Sequence, residues 1–549
     1  MREKLKFLYG EEIGKKTYEQ LLKLLDSVKG MINCDDRELW SEKDIFLITY
    51  PDSFYEKGSP VLKTLAKFLK IHLKGIISGV HILPFSPYSS DRGFSITDFT
   101  RVKEEFGDWK EMEGISKNFR LMADLVLNHV SVKHEWFQRF LAGDSKYWDY
   151  FIHFNKSEIP EAELKQVVRP RATPLLTPFK TANGERRVWT TFSVEDSTDQ
   201  IDLNYQNPEV LLEMIKIILL FLQKGIRIFR LDAIPFIWKE VGTDCYDLKQ
   251  VHIIINLFRQ ILDEVCPRAL LLSQSSMPWI ENLAYLGGQN KEANLVYNFP
   301  LPPLILDAYY NRNTKQLNDL AEKMNPPDQK TSFFNILAVH DGIGLSGIKG
   351  FLSEQEVREL SIQIQRRGGC LSYRSLPDGD KKLQELNITW WSALNQISEE
   401  SFDLKLQKFI TSHALMFALK GIPAIYYLSL FGQENDRVLY GKTKIKRDLN
   451  RSDLELGKLE ESLKTDSSKE NRVFAGMKKL MQKKRNIPAF HPDAGQEVLD
   501  LDKRVFALLR RTKDQAVVAL HNLSPDKLEI SYNSKIYTLD PFSFIWDIS

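Results

Sequence analysis

The sequence predicts an α/β protein: a (β/α)8 TIM barrel with a small inserted domain and a C-terminal all-β domain. Three observations carry this expectation. Short, apolar, β-rich runs alternate with longer helical patterns between about residues 44 and 428, and repeated strand–helix units imply parallel strands covered by helices. Asp124, Asp232 and Asp341 each stand at or near the end of such a run, with Asn128, His129, Arg230 and His340 close by. In a closed barrel these ends converge on one mouth, where residues distant in sequence can surround one small molecule. Beyond about residue 475 the pattern becomes short β-like runs, RVFALLR, QAVVALHNL and KLEISY, as in a small all-β domain.

Taken in order, residues 1–40 read as a helical N-terminal extension, and residues 41–134 as the first part of the barrel. That part holds strands in DIFLITY (Asp44 to Tyr50), GIISGVHILPF (Gly75 to Phe85) and FRLMADLVLNH (Phe119 to His129), with a helix around Val61 to Leu69. Residues 135–205 break the alternation with aromatics, RPRATP and the turn-like TANGERR. They are expected to form the inserted domain and one wall of the site, a solvent-exposed insertion being the other reading. Residues 206–475 resume the barrel with GIRIFRLDAI (Gly225 to Ile234), ALLLSQ (Ala269 to Gln274), FFNILAVHD (Phe333 to Asp341) and IPAIYYL (Ile422 to Leu428). Helical patterns over Pro208 to Gln223 and Leu248 to Glu264 separate them, and residues 476–549 form the β-domain. The alternation alone also fits an open doubly wound sheet. It is the polar residues at the strand ends that favour the barrel, and neither a dinucleotide nor a P-loop glycine fingerprint is present.

Composition excludes several classes. Lys+Arg number 75 against Asp+Glu 73, with no long block of one sign, so no broad basic face for nucleic acid is expected. The first twenty residues carry charges too often for a signal-peptide core. The apolar run Ile217 to Leu222 is too short to cross a bilayer. Cys34, Cys245, Cys266 and Cys370 are widely spaced, with no C-x-x-C pair. They are expected to be free thiols in a reducing compartment. The expectation is a cytoplasmic protein without membrane association, monomeric or homodimeric.

The chemistry begins at Asp232. Transfer at a sugar acetal carbon needs a group that attacks or stabilises the developing cation and an acid that protonates the leaving oxygen. Asp232 in FRLDAI ends an apolar strand, and Arg230, two residues earlier, points to the same side. Its guanidinium is expected to keep the carboxylate ionised and oriented; a structural Arg–Asp pair is the plainer reading. Asp341, beside His340, suits gripping sugar hydroxyls and stabilising positive charge, and His129 offers a directional donor. No histidine spacing suits a metal, so no catalytic metal is expected.

These segments resemble the α-amylase superfamily (glycoside hydrolase family 13): DLVLNH (Asp124 to His129), FRLDAI (Phe229 to Ile234) and AVHDG (Ala338 to Gly342). Longer phrases are similar to the branch of sucrose phosphorylase and glucosylglycerate phosphorylase. They include GVHILPFSPYSSDRGFSITDF (Gly79 to Phe99), DQIDLN (Asp199 to Asn204), YNFPLPPL (Tyr297 to Leu304) and RDLNR (Arg447 to Arg451). The resemblance implies a retaining glycosyltransferase that, without any cofactor, passes one glucosyl unit from sucrose or a related small α-glucoside to inorganic phosphate through a glucosyl–Asp232 intermediate. It further implies that Asp341 stabilises the transition state, that Arg230, His129, His340 and Phe94 surround the donor glucose, and that Asp91 and Arg447 close its subsite. Arg171, with Gln384 and Glu385, would face the acceptor or phosphate.

One departure stands out. The family's general acid is a glutamate after the fifth strand; here the phrase is SQSSMP, with Gln274 in that place. An amide cannot donate a proton and take it back at a workable pKa. Three explanations stay open: an introduced Glu→Gln change, natural divergence toward altered activity or sugar binding, or another acid, Glu281 being nearest. A small-substrate hydrolase or transglucosidase, and a catalytically silent glucoside-binding homologue, are the competing functions. The loop around Gln384 and Glu385, where relatives often carry a tyrosine beside an amide or acid, is a second departure.

Overall fold

A computed structural model describes all residues except 35–37, 172, 194–197, 276, 288–291, 376–380 and 397–400. Eight parallel strands close into a barrel: β1 (Phe46–Thr49), β2 (Gly79–Ile82), β3 (Arg120–Val126), β4 (Ile226–Asp232), β5 (Leu270–Ser273), β6 (Leu295–Tyr297), β7 (Ser332–Ile336) and β8 (Ile422–Tyr426). Each pairs with its neighbours in chain order, and β8 pairs with β1 to close the ring. Seven of these coincide with the apolar runs read from the sequence, β7 starting one residue before its run; β6, three residues long, was not among them.

The strands are buried nearly throughout, because helices cover the outside and side chains fill the inside. At β1 the interior filling is visible residue by residue. Phe46 lies in register with Gly79 of β2, and a Cβ on Gly79 would come within 2.1 Å of the Phe46 ring. The glycine makes room for an aromatic ring that also packs edge-on against Phe334 of β7.

Two excursions interrupt the barrel on the side of the strand ends. Between β3 and β4, short helices and the hairpin Leu176–Thr181/Gly184–Trp189 form the insertion. Between β7 and β8, Lys381–Asn387 is the central strand of a small antiparallel sheet, pairing with Cys370–Ser375 on one side and Ile343–Gly344 on the other. This second sheet was not read from the sequence, and it carries Gln384 and Glu385.

At the N-terminus, helices Arg2–Tyr9 and Glu11–Ser27 pack on the barrel helices Lys249–Val265 and Pro208–Gln223. The terminal ammonium donates to Gln260 at 2.9 Å. Here the cysteine expectation is corrected: Cys34 and Cys266 form a disulfide, while Cys245 and Cys370 are free thiols. The extension folds back along the helix ending at Val265 and brings the two cysteines to a Cα separation of 5.6 Å, within bonding range. At the C-terminus, helix Lys469–Arg485 spans the expected boundary at 475/476. A four-stranded antiparallel sheet with a separate hairpin follows it. Buried Arg510 ties the sheet to the barrel by donating to the carbonyls of Ala418 and His491. Among the described residues, no helix is long and apolar enough to cross a membrane.

Candidate active site

The strand ends and both excursions surround one cavity of about 160 Å³. Its floor is set by strand register. Arg230 on β4 stands opposite Asp124 on β3, and alternation places Asp232 on the same side as Arg230. One guanidinium nitrogen, Nη1, donates to both Asp124 and Asp232, at 2.7 Å to the latter. Asp124 is held from behind by His81 at 2.9 Å.

Arg230 thus divides its charge between Asp232 and Asp124. Burial drives the Asp232 carboxyl upward; Arg230 opposes it, but the charges of Asp124 and Asp341 add to the rise, leaving Asp232 at about 6. Asp124, in direct contact with Arg230 and His81, goes the other way: burial works to raise it, and those two neighbours, Arg230 foremost, hold it below its ordinary value.

On the opposite wall, Asp341 follows β7. Burial pushes it up, but the charges of Arg447, with Nη1 at 2.7 Å, and of Arg451 and Arg230 together outweigh it. Asp341 is therefore held well below the usual carboxylate range. Arg447 also grips Glu385 from the second excursion, through Nη2 at 2.9 Å and Nε at 3.2 Å. That fork fixes the loop against the barrel. Phe94 stacks on His340 with ring centroids 5.1 Å apart, and burial drives His340 down to about 3. The His340 ring is thus neutral.

His129 lines the cavity as well. Its Nε2 is already 3.1 Å from the Phe94 carbonyl, so its donor holds the Phe94 loop in place. Burial lowers it as well, so the ring stays neutral. Next to it, Asn128 donates to Asp202 and accepts from Lys239, which also pairs with Asp202 at 2.8 Å. This buried network fastens the inserted segment to the barrel.

Gln274 follows β5 and lines the cavity. Its Oε1 accepts the backbone N–H of Ala233 at 3.0 Å. Ala233 has φ 50, a left-handed turn immediately after Asp232 that aims this N–H at residue 274. Such strained backbone concentrates at functional sites. The amide therefore sits beside the residue that follows Asp232, with its Nε2 hydrogens left to donate. Glu281 is exposed and does not line the cavity.

Eleven of the twelve residues singled out from the sequence line this cavity, and the twelfth, Arg230, lies beneath it. Asp91, at φ 52, accepts from Gln200 at 3.3 Å. Arg171 is lowered by burial and by the charge of Arg447, and its Nε has no hydrogen-bond partner among the described residues. Sequence reasoning missed Gln200, Tyr246 and Arg374, which also line the cavity. They sit in irregular segments or a short hairpin, where no periodicity marks them. Among the described residues, no group of three or more His, Cys, Asp or Glu side chains could hold a metal ion.

Comparison with known proteins agrees with this architecture. The profile of the alpha amylase catalytic domain matches residues 51–341. Glucosylglycerate phosphorylase of Spirochaeta thermophila is 44% identical over 98% of this chain and 92% of that protein. The enzyme of that name from Escherichia coli is 37% identical over 94% and 91%. The crystal structure of sucrose 6F-phosphate phosphorylase from Thermoanaerobacter thermosaccharolyticum superposes with a TM-score of 0.78 at 27% identity, covering 91% of this chain and 97% of that one. The chain belongs to the α-amylase superfamily, glycoside hydrolase family 13, in its sucrose phosphorylase and glucosylglycerate phosphorylase branch.

Proposed function

We propose that the protein is a retaining α-glucoside phosphorylase whose natural donor is a small glucoside with an anionic aglycone, glucosylglycerate in the first instance, and whose protonation step is weakened by Gln274. The observation that carries this reading is the unlike pair of carboxyls in one cavity. Asp232 is a buried carboxyl poised near 6, and Asp341 is a permanently ionised one. Environments that push two carboxyls apart mark distinct chemical roles. The resemblance in sequence to glucosylglycerate phosphorylases supports the choice of donor.

In this mechanism the Asp232 carboxylate attacks the anomeric carbon while Asp341 stabilises the positive charge developing on the sugar. Phosphate then attacks the glucosyl–Asp232 ester from the face the aglycone left, releasing α-glucose 1-phosphate with retained configuration. Arg171 and Arg374 line the same cavity and supply positive charge for the phosphate and the glycerate carboxylate. Departure of a sugar or glycerate oxygen requires a proton. The Gln274 amide offers a hydrogen bond but no transferable proton, which costs about 10²–10⁴-fold in rate.

The test is release of α-glucose 1-phosphate from a panel of α-glucosides, with and without phosphate, by this chain and its Gln274→Glu variant. Phosphate-dependent product that rises about 10²–10⁴-fold in the variant supports the reading. Free glucose irrespective of phosphate would replace it with a hydrolase. Gln274 itself favours a second reading, a glucoside-binding protein. Calorimetric binding of a glucoside without turnover in either form would establish that one.

A further inference from the structure

We propose that His252 is a positioning residue: with Tyr285 and Glu292 it clamps Asp247 from outside the cavity, and so fixes Tyr246 as a wall that fits the aglycone rather than the glucosyl unit. The proposal rests on the phosphorylase reading of the cavity and adds what sets one side of its shape.

Tyr246 stands in the loop between β4 and helix Lys249–Val265, in a conformation that a chain rarely adopts unaided. Cys245 and Asp247, on either side of it, have φ 52 and 56. This is the left-handed region, which a residue with a Cβ keeps only where its neighbours over-determine it. Those neighbours are in place. The Cys245 N–H donates to the Thr243 hydroxyl at 3.1 Å, and the Tyr246 N–H to Asp244 at 3.1 Å. The Asp247 N–H donates to the carbonyl of Pro235 at 2.8 Å, in the turn that follows Asp232.

The Asp247 side chain is held from the other direction. Its Oδ1 accepts from the Tyr285 hydroxyl and lies 3.3 Å from His252 Nε2. The other ring nitrogen of His252 is 2.9 Å from Glu292, which is buried. The His252 and Tyr285 rings stack with centroids 4.8 Å apart. Burial works against a charge on His252, but its hydrogen bonds to Asp247 and Glu292 raise it to about 10, so the ring is an imidazolium that donates at both ends. His252 comes from the start of its helix, Tyr285 and Glu292 from the connection between β5 and β6, and none of them lines the cavity. A buried ion cluster is a weak source of stability. Its charge-assisted hydrogen bonds are short and directional, which suits it to holding one backbone geometry.

That geometry serves the aglycone side. The Tyr246 ring meets Phe236 edge-on at 5.0 Å, Phe236 meets Phe192 at 5.2 Å, and all three line the cavity. Burial and the charge of Asp247 raise the Tyr246 hydroxyl while Arg374 works against them, which sets the phenol near Arg374. The Val168 N–H donates to the carbonyl of Asp244 at 2.9 Å, so the same loop backs the segment that carries Arg171. The groups assigned to the glucosyl unit, Asp91, His340 and Arg447, come instead from the loops after β2, β7 and β8.

The test is calorimetric binding, without phosphate, of glucosylglycerate and of methyl α-glucoside, which shares the glucosyl unit but carries a single aglycone carbon. This chain is compared with its His252→Ala, His252→Gln and Tyr285→Phe variants. The last removes one hydroxyl and keeps the ring stack, so it carries the test if His252→Ala does not fold. Expected from His252→Ala and Tyr285→Phe is a glucosylglycerate Kd raised roughly tenfold or more, the strength of a hydrogen bond to a charged group, with methyl α-glucoside within about twofold. His252→Gln, which keeps one of the two N–H bonds, is expected to recover part of the loss. Equal losses for both ligands would reveal a merely structural role, and no loss for either would mean that the clamp does not shape the wall. Either result overturns the proposal and leaves the phosphorylase reading standing. If the unaltered chain binds neither glucoside, that reading falls and the proposal with it.

Discussion

Asp232 and Asp341 line one cavity from the ends of β4 and β7, yet their surroundings have opposite effects. On the β4 side a single guanidinium, Arg230, is divided between Asp124 and Asp232. Burial and the neighbouring carboxylates then outweigh it, and Asp232 rises to about 6. On the β7 side Asp341 meets Arg447 at 2.7 Å and Arg451 at 3.8 Å, and the cations win. The difference teaches that residue type and depth do not set a carboxyl's role; the ratio of cations to carboxylates around it does. The side poor in positive charge holds a carboxyl raised above its ordinary value, and the rich side holds one lowered below it.

The largest effect should come from removing the proposed nucleophile. Asp232→Asn is expected to lower kcat for phosphorolysis in the Gln274→Glu background by roughly 10⁴-fold or more. A loss below tenfold would mean that the two aspartates had been assigned the wrong way round.

Stability should separate the two sides in sign. Asp341→Asn leaves Arg447 and Arg451 facing no ionised Asp341. Because the Asp341 side chain is 24% exposed, the loss is discounted to about 1–3 kcal/mol at pH 7 in urea unfolding. Asp341 lies below its ordinary value of 3.8 when folded. Its contribution is therefore present above that pH and lost as pH falls through the folded value.

Asp232→Asn should do the reverse. Its folded value of about 6 lies above the ordinary 3.8, so between these pH values the folded chain keeps a proton that the unfolded chain has lost. Stability drains away as pH rises through that window. The asparagine variant is expected to be more stable by about 2 kcal/mol at pH 7.5, with the gain gone below pH 4. Urea curves showing no gain at pH 7.5 would contradict the electrostatic contrast.

The smallest effect is one of shape. Turnover by this chain should fall about tenfold per pH unit below 6, as Asp232 takes up its proton, with no alkaline fall due to an acid at 274. Gln274→Glu should add that alkaline limb to glucoside cleavage, giving a bell.

The contrast was only half legible in the sequence. Strand alternation places Arg230 and Asp232 on one side from their spacing alone, and the apolar runs reveal seven barrel strands. The sharing of Arg230 required the lateral register of β3 against β4, which pairs Arg230 with Asp124; spacing along one strand carries no such information. Strand β6, at Leu295–Tyr297, is shorter than any period that could announce it. The Arg447–Glu385 fork joins a hairpin strand to a short turn of helix 62 residues later, and no pattern along the chain links the two. Arg374 and Tyr246 stayed hidden for the same reason. Gln274 was conspicuous because a specific phrase surrounds it, and the structure adds what its oxygen is doing.

The disulfide between Cys34 and Cys266 makes the chain a covalent ring with a tail at either end. Strands β1 to β4, the inserted segment and Asp232 lie inside the ring; Gln274, Asp341 and Arg447 lie on the C-terminal tail. The two sides of the cavity thus belong to topologically different parts of one molecule. A single protease nick within the inserted segment opens the ring without releasing a fragment, so the two pieces should run as one band on a non-reducing gel and separate once the thiols are reduced. A nick in the excursion between β7 and β8 should release two bands under either condition. The pattern of bands therefore reports which wall of the cavity was cut.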